Sequence, residues 1–285
     1  MDLPAGLKRF LRMHAVAGRL RPIAAPVHSA LVVSELFVER LIDSLDRRPP
    51  CPGAALLGNL TALVKTFERP YALKRLVASV RRFYPALAIV VVDDSREPAP
   101  LEGVRTVVLP YDTGISEGRN QGLRHVETRY VLLLDDDFVF YRHTRLAPAL
   151  ALMDENPGID IMGGVVVDLP LFRKQGIPQG GLFPTSAAPA VPPGSSIGGL
   201  AVCAKVPNFF IARAGRLALV PWDPRLKRME HADFFTRAFG VLTTAFNPAL
   251  KCLHAPTPFD AAYMRRRMDL ADAARVLEER YGGRR

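Results

Sequence analysis

Two apolar runs in this chain end in acid, and they restrict the fold more than any other feature. Ala88-Ile89-Val90-Val91-Val92 leads into Asp93-Asp94, and Tyr130-Val131-Leu132-Leu133-Leu134 leads into Asp135-Asp136-Asp137. Neither run alternates apolar with polar residues, so neither has a solvent face. Strands of that kind belong to parallel sheets covered by helices on both sides. The intervening sequence has helical rhythm: Leu73, Leu76, Val77 and Val80 recur at three- and four-residue spacing over 71–83, and Pro85 ends the helix. Further strands are expected at 60–64, 104–109, 159–167, 208–212, 241–246 and 251–253. Further helices are expected at 29–45, 115–126, 146–153, 231–239 and 260–281. The alternation predicts an α/β fold with a mostly parallel, Rossmann-like sheet.

The pattern divides the chain into three parts. Residues 1–56 are rich in Arg, Ala and Pro and end in Arg47-Arg48-Pro49-Pro50, so they read as an N-terminal helical and linker appendage. Residues 57–257 form the main domain. Residues 258–285 carry Arg265-Arg266-Arg267 and read as a C-terminal basic helix. The Gly-, Pro- and Ser-rich stretch 176–199 is too long for a simple connection and reads as a functional loop.

Composition excludes several classes. Cys51, Cys203 and Cys252 are odd in number and far apart, which argues against a disulfide framework or a zinc site. No run of about eighteen apolar residues occurs, and the start lacks the order of a signal peptide. The expectation is a cytoplasmic protein without a transmembrane helix. The net charge of +10 suits nucleic acid, an anionic membrane surface or an anionic substrate. No helix-turn-helix, RNA-recognition or zinc-finger pattern is present, and few aromatics interleave with the basic clusters, so no nucleic acid is expected as a partner. Lys8, Arg9 and Arg12 among Leu7, Phe10 and Leu11 would make a basic amphipathic helix, suited to peripheral contact at the inner face of a membrane.

The acidic strand ends carry the chemistry. In parallel sheets, ligands bind at the C-terminal ends of the strands. Three adjacent carboxylates there repel one another, and burial disfavours their charge. A divalent cation resolves that conflict, since hard cations prefer carboxylate oxygen. A solvated acidic turn would explain the triplet alone, but not its place at the end of an apolar strand. The second pair, Asp93-Asp94, can accept hydrogen bonds from a nucleobase or a ribose. In 112–120 glycines bracket a helix start, where free N–H groups and Arg119 suit a diphosphate. The segment is neither a P-loop nor a dinucleotide-binding fingerprint.

An ordered set of short motifs runs through this frame: 65–69 (KTFER), 92–95 (VDDS), 112–120 with Gly114, Gly118 and Arg119, 134–138 (LDDDF), 208–213 (NFFIAR), and Trp222-Asp223-Pro224 followed by 231–235 (HADFF). In this order and spacing the chain, over about 60–254, resembles the β-1,4-N-acetylgalactosaminyltransferases of the GM2/GD2-synthase type and, more broadly, the family 2 glycosyltransferases. The resemblance implies a GT-A fold, a UDP-sugar donor, Mn²⁺ or Mg²⁺, and a glycan or glycolipid acceptor. It also implies roles. Thr66, Arg69 and Asp94 would border the uridine, with Asp93 beside them. Gly114 and Arg119 would lie near the nucleotide. Asp135 would contact the ribose or donor sugar, with Asp136 next to it. Asp137 and His254 would hold the metal. An inverting transferase needs a carboxylate to take the acceptor's proton. Asp233 occupies the acidic position and is assigned as that base. Glu230, three residues earlier on the same helix face, is the alternative. The sugar moved would be N-acetylgalactosamine or a similar hexose.

Two other functions fit parts of the pattern. A sugar-phosphate nucleotidyltransferase shares the α/β plan, but it would carry glycine in the loop after the first strand, and 65–69 has none. A non-catalytic binding protein would suit the basic charge but would leave the acidic set without a use. Trp222 could stack on a sugar or fill the core. Phe234 and Phe235 read as core anchors.

Overall fold

The computed structural model describes residues 21–45, 54–98, 100–177 and 181–282. The basic cluster at Lys8, Arg9 and Arg12 and the cysteine at Cys51 lie outside them.

The apolar runs form strands that are buried on both faces. β1 (Leu60–Thr66), β2 (Ala88–Asp93), β3 (Arg105–Val108) and β4 (Tyr130–Asp135) are parallel, in the order β3-β2-β1-β4. The sheet continues through β10 (Phe210–Arg213), antiparallel to both its neighbours, then β6 (Ile161–Asp168) and β11 (Thr244–His254), which run parallel to each other. Short strands complete it: β5 (Phe138–Val139), β7 (Arg173–Gln175), β8 (Ser196–Ile197) and β9 (Leu200–Val202). Among the described residues the result is a mixed sheet of eleven strands, mostly parallel at its core.

Side chains alternate across it. Ala62, Val64, Leu132 and Leu134 join Leu73 and Leu76 of helix α2 (Pro70–Phe83) on one face. Leu63, Val90, Val92, Val131 and Leu133 join Phe234 and Phe235 on the other. Each such side chain contributes about 1.5–3 kcal/mol when fully buried. Phe234 and Phe235 are therefore core anchors.

The expected strands at 241–246 and 251–253 are one strand. β11 keeps its pairing with β6 through a shift of register between Phe246 and Lys251. The bulge absorbs Asn247, Pro248 and Ala249, which read as a break in a strand pattern. The expected terminal helix at 260–281 is two helices, α7 (Ala261–Met268) and α8 (Ala271–Tyr281), with the backbone extended at Asp269. Asp260 caps α7 by accepting from Tyr263 N. The remaining helices are α3 (Ile115–Leu123), α4 (Leu146–Glu155), the single turn α5 (Ala214–Leu217) and α6 (Glu230–Ala238).

Helix α1 (Arg21–Leu45) corrects one expectation. It is long and apolar enough to cross a membrane, with mean hydropathy 1.2 over an eighteen-residue window. Scattered Ser29, Ser34 and Glu35 interrupt its apolar residues, so no unbroken run marks it in the sequence. The expectation of a cytoplasmic protein without a transmembrane helix rested on that missing run and loses its ground.

Candidate active site

Parallel pairing of β2, β1 and β4 brings three strand ends to one edge. In register, Thr66 lies opposite Asp93 and Lys65 opposite Asp135. Arg69, three residues beyond β1, begins α2 and turns back over the acids. Its guanidinium holds both Asp136 and Asp137, the latter at 2.8 Å. Thr66 Oγ1 donates to Asp136 Oδ2 at 2.7 Å. Behind Arg69, the Tyr263 ring of α7 stacks at 4.1 Å.

Asp137 is joined from the other side. β5 pairs antiparallel with the end of β11, setting Phe138 opposite His254. That pairing puts His254 Nε2 at 3.3 Å from Asp137 Oδ2. The parallel register of β6 and β11 sets Asp168 opposite His254, and His254 Nδ1 lies 2.7 Å from Asp168 Oδ1. Burial pushes the Asp136 carboxyl up to about 6 even against Arg69. Burial also acts on Asp137, but Arg69 and His254 outweigh it and hold that carboxyl well below the usual range. Burial lowers the His254 imidazole, yet its two carboxylate partners raise it to about 10.

The donor chemistry at this point fits a hard or borderline cation. Asp137 offers carboxylate oxygen and His254 an imidazole nitrogen, with Asp168 fixing the ring behind it. Among the described residues no group of three or more His, Cys, Asp or Glu is arranged to hold a metal ion. A cation here would take two protein ligands and complete its shell from diphosphate and water, the habit of Mg²⁺ and Mn²⁺ in phosphate sites.

Beside these groups an open cleft of about 560 Å³ is lined by Thr66, Arg69, Tyr71, Asp93, Ser95 and Thr257, among others. Thr66, Arg69 and Asp93 thus line the cleft, whereas Asp135, Asp136, Asp137 and His254 lie beside it and are not among its lining residues. Asp94 does not line it. Asp94 is buried, and its oxygens accept from Lys65 and from Gly114 N at 2.8 Å. Gly114 has φ +100°, a backbone that disfavours any side chain, and a Cβ there would strike Lys227. The pair therefore shapes the 110–114 turn. Of the two acids expected beside the uridine only Asp93 lines the cleft, since consecutive residues of an extended chain point to opposite sides.

Three other expectations change. Arg119 is 1 % exposed and presents no free fork to a diphosphate: Glu230 occupies one end at 2.8 Å and Asp135 the other at 3.0 Å. Asp136 is turned inward onto Thr66 and Arg69, whereas the Asp135 side chain is 32 % exposed and is the open member of the triplet. Asp233 is fully enclosed. Arg237 and Arg280 pair with it, and Tyr281 Oη donates to it at 2.8 Å. Its α6 neighbour Glu230 has a different partner, Arg119, which also holds Asp135. Trp222 is core: it stacks on Phe234 with centroids 4.6 Å apart and does not face the cleft.

Three site residues escaped the sequence reading. Lys65, buried within β1, neutralises Asp94; burial lowers its ammonium, and the adjoining carboxylates oppose that. Asp168 ends an apolar run, Val165-Val166-Val167, by the same rule that marked Asp93 and Asp135, so its signal was present. Tyr263 had no signal, since its place over Arg69 depends on how α7 packs.

Comparisons agree with this geometry. Residues 61–179 match Glycosyl transferase family 2. The chain is 35 % identical over 199 residues to human β-1,4 N-acetylgalactosaminyltransferase 1, covering 65 % of this chain and 37 % of that protein. It is 30 % identical over 211 residues to mouse β-1,4 N-acetylgalactosaminyltransferase 2, covering 72 % of this chain and 41 % of that one. The chain thus spans well under half the length of these relatives. In fold it is similar to S. aureus TarS 1–349, with TM-score 0.53 and 20 % identity over 69 % of this chain and 60 % of that one. It is also similar to GalNAc-T7, with TM-score 0.53 and 16 % identity over 77 % of this chain and 47 % of that one. The architecture is that of GT-A glycosyltransferases. The chain therefore carries a glycosyl transferase family 2 domain and is a relative of the β-1,4 N-acetylgalactosaminyltransferases.

Proposed function

We propose that the chain is an inverting, metal-dependent glycosyltransferase that moves a hexose from a UDP-sugar to a hydroxyl of a glycan or glycolipid. What carries the reading is the meeting of Thr66, Arg69, Asp93, Asp135 and Asp137 at the ends of three parallel strands, beside an open cleft. Related proteins support the donor. TarS has been solved with UDP and with UDP-GlcNAc, and GalNAc-T7 with UDP, GalNAc and Mn²⁺. The relatives' names support N-acetylgalactosamine as the sugar.

In this reading the uracil and ribose lie in the cleft against Thr66, Asp93 and Tyr71. Asp135, the exposed carboxylate, meets the donor's hydroxyls. Asp137 and His254 hold the cation, which when bound offsets the charge that develops on the departing diphosphate. The acceptor oxygen forms a bond to the anomeric carbon as the bond to UDP breaks, and its proton passes to a carboxylate. Glu230 replaces Asp233 as our candidate for that base. Glu230 joins the site through Arg119 and Asp135, whereas three donors saturate Asp233. Arg119 would position both acids.

The deciding experiment is a thermal-shift screen of nucleotide sugars with and without Mn²⁺. A rise for UDP-sugars that needs the metal is expected. Equal shifts for all nucleotides, or none, would overturn the reading.

A further inference from the structure

Helix α1 is amphipathic the wrong way round for a soluble domain. Glu39 and Asp43 face the protein beside Val32 and Leu36, and the exposed side is largely apolar. At 100° per residue, Val32, Leu36, Glu39 and Asp43 fall on one stripe, and this stripe docks. Val32 and Leu36 pack with Val139, Val165, Val167 and Leu253. Glu39 pairs with Arg142, and Asp43 accepts from Arg142 N at 3.1 Å. Arg21 donates to Phe259 O at 2.9 Å.

The opposite side carries Ile23, Val27, Phe37, Val38, Leu41 and Leu45, exposed by 50 % or more. No Asp, Glu, Lys or Arg lies among them on that side. Two charged residues flank the docked stripe, Glu35 on one edge and Arg40 on the other. The face runs the length of a 25-residue helix, about 37 Å. An apolar strip of that size on a soluble protein marks a contact.

The charges at its ends say with what. Residues 1–20 carry Lys8, Arg9, Arg12 and Arg19 against Asp2, and residues 46–48 carry Arg47 and Arg48 against Asp46. A second copy would bring the same basic ends and the same net charge of +10 against this face. An anionic lipid surface offers the opposite charge and an apolar layer beneath it.

Spanning is disfavoured. A span would carry Glu35 and Glu39 into the hydrocarbon, and the pairing of Glu39 with Arg142 would break. A helix lying in the interface keeps those bonds. We infer that the outward face of α1 seats the domain on an anionic lipid surface, with the helix in the membrane plane and its inner stripe still docked. The inference is independent of the proposed catalytic reading, since it uses none of the cleft residues.

Flotation of the full chain with phosphatidylcholine vesicles, with and without phosphatidylglycerol, tests it. Co-flotation with the anionic vesicles is expected. The double variant Phe37→Glu/Leu41→Glu should reduce partition at least about tenfold, since two buried apolar side chains and two added charges act together. Val27→Glu, on the same face, should reduce it in the same direction. Both variants should keep the native melting temperature and any nucleotide-induced thermal shift. Failure of the wild type to float would overturn the inference, as would variants that float unchanged. So would a solution dimer that the double variant makes monomeric.

Discussion

At the scale of single residues, the site is a contest between burial and pairing. Asp136 and Asp137 sit side by side with little water, and Arg69 compensates both. Replacing Arg69 with Met leaves two buried carboxylates short of a partner. The expected loss is about 3–5 kcal/mol of unfolding free energy, measured by urea titration. Asp137→Ala tests the cation. UDP binding that depends on Mn²⁺ should disappear in calorimetry, while unchanged affinity would remove Asp137 from the metal. The two acids of α6 should separate cleanly. Glu230→Gln should lower kcat by about 10²–10⁴-fold, the range of general-base loss. Asp233→Asn should mainly lower stability, because it weakens pairs with Arg237 and Arg280. The reverse pattern in kcat would restore Asp233 as the base.

At the scale of elements, the C-terminal helices serve the site by packing. α8 buries Ala273, Val276, Leu277 and Tyr281 against Leu226, and Phe183 stacks on Tyr281 at 4.3 Å. Arg280 then reaches both Asp223 and Asp233, tying α8 to α6 and to the loop before it. This linkage has a pH signature. The hydrogen bonds from Arg225 hold the Asp223 carboxyl at about 2, below its ordinary 3.8. A depressed carboxylate contributes stability above its unfolded value and loses it as pH falls through the folded one. The wild type should therefore lose more stability than Asp223→Asn between about pH 4 and pH 2. Solvent screening reduces the difference to about 1 kcal/mol. Denaturant unfolding at several pH values measures it, and equal slopes would remove the Asp223 pairings from the stability of the fold.

For the whole molecule, ligand and fold are coupled by mass action. A ligand at 100 times its Kd adds about 2.7 kcal/mol to the native state. For a chain of 285 residues, UDP with Mn²⁺ should raise the melting temperature by about 5 °C, and a chelator should cancel the rise. A rise that survives chelation would mean that UDP binds without the metal. The coupling is expected because the residues of the site come from β1, β2, β4, β6 and β11, so a ligand there braces the sheet at several points.

What the sequence determined by itself is the sheet and its acidic edge. Unbroken apolar runs such as 88–92 and 130–134 can be satisfied only between two layers of helices, and their terminal acids must then share an edge. That argument needs no coordinates, and it placed Asp93-Asp94 and Asp135–Asp137 at one edge, whereas Thr66 and Arg69 entered only through the resemblance. The tertiary structure decided which way each acid points. Asp93 and Asp94 are adjacent in sequence, yet one lines the cleft and the other is locked to Lys65 and Gly114. Glu230 and Asp233 lie three apart on one helix, yet α8 claims one and Arg119 the other. Composition could not reveal that α1 turns its apolar side outward, because the same residues would read alike with that side buried. Periodicity specifies that a face exists; only long-range packing decides what it meets.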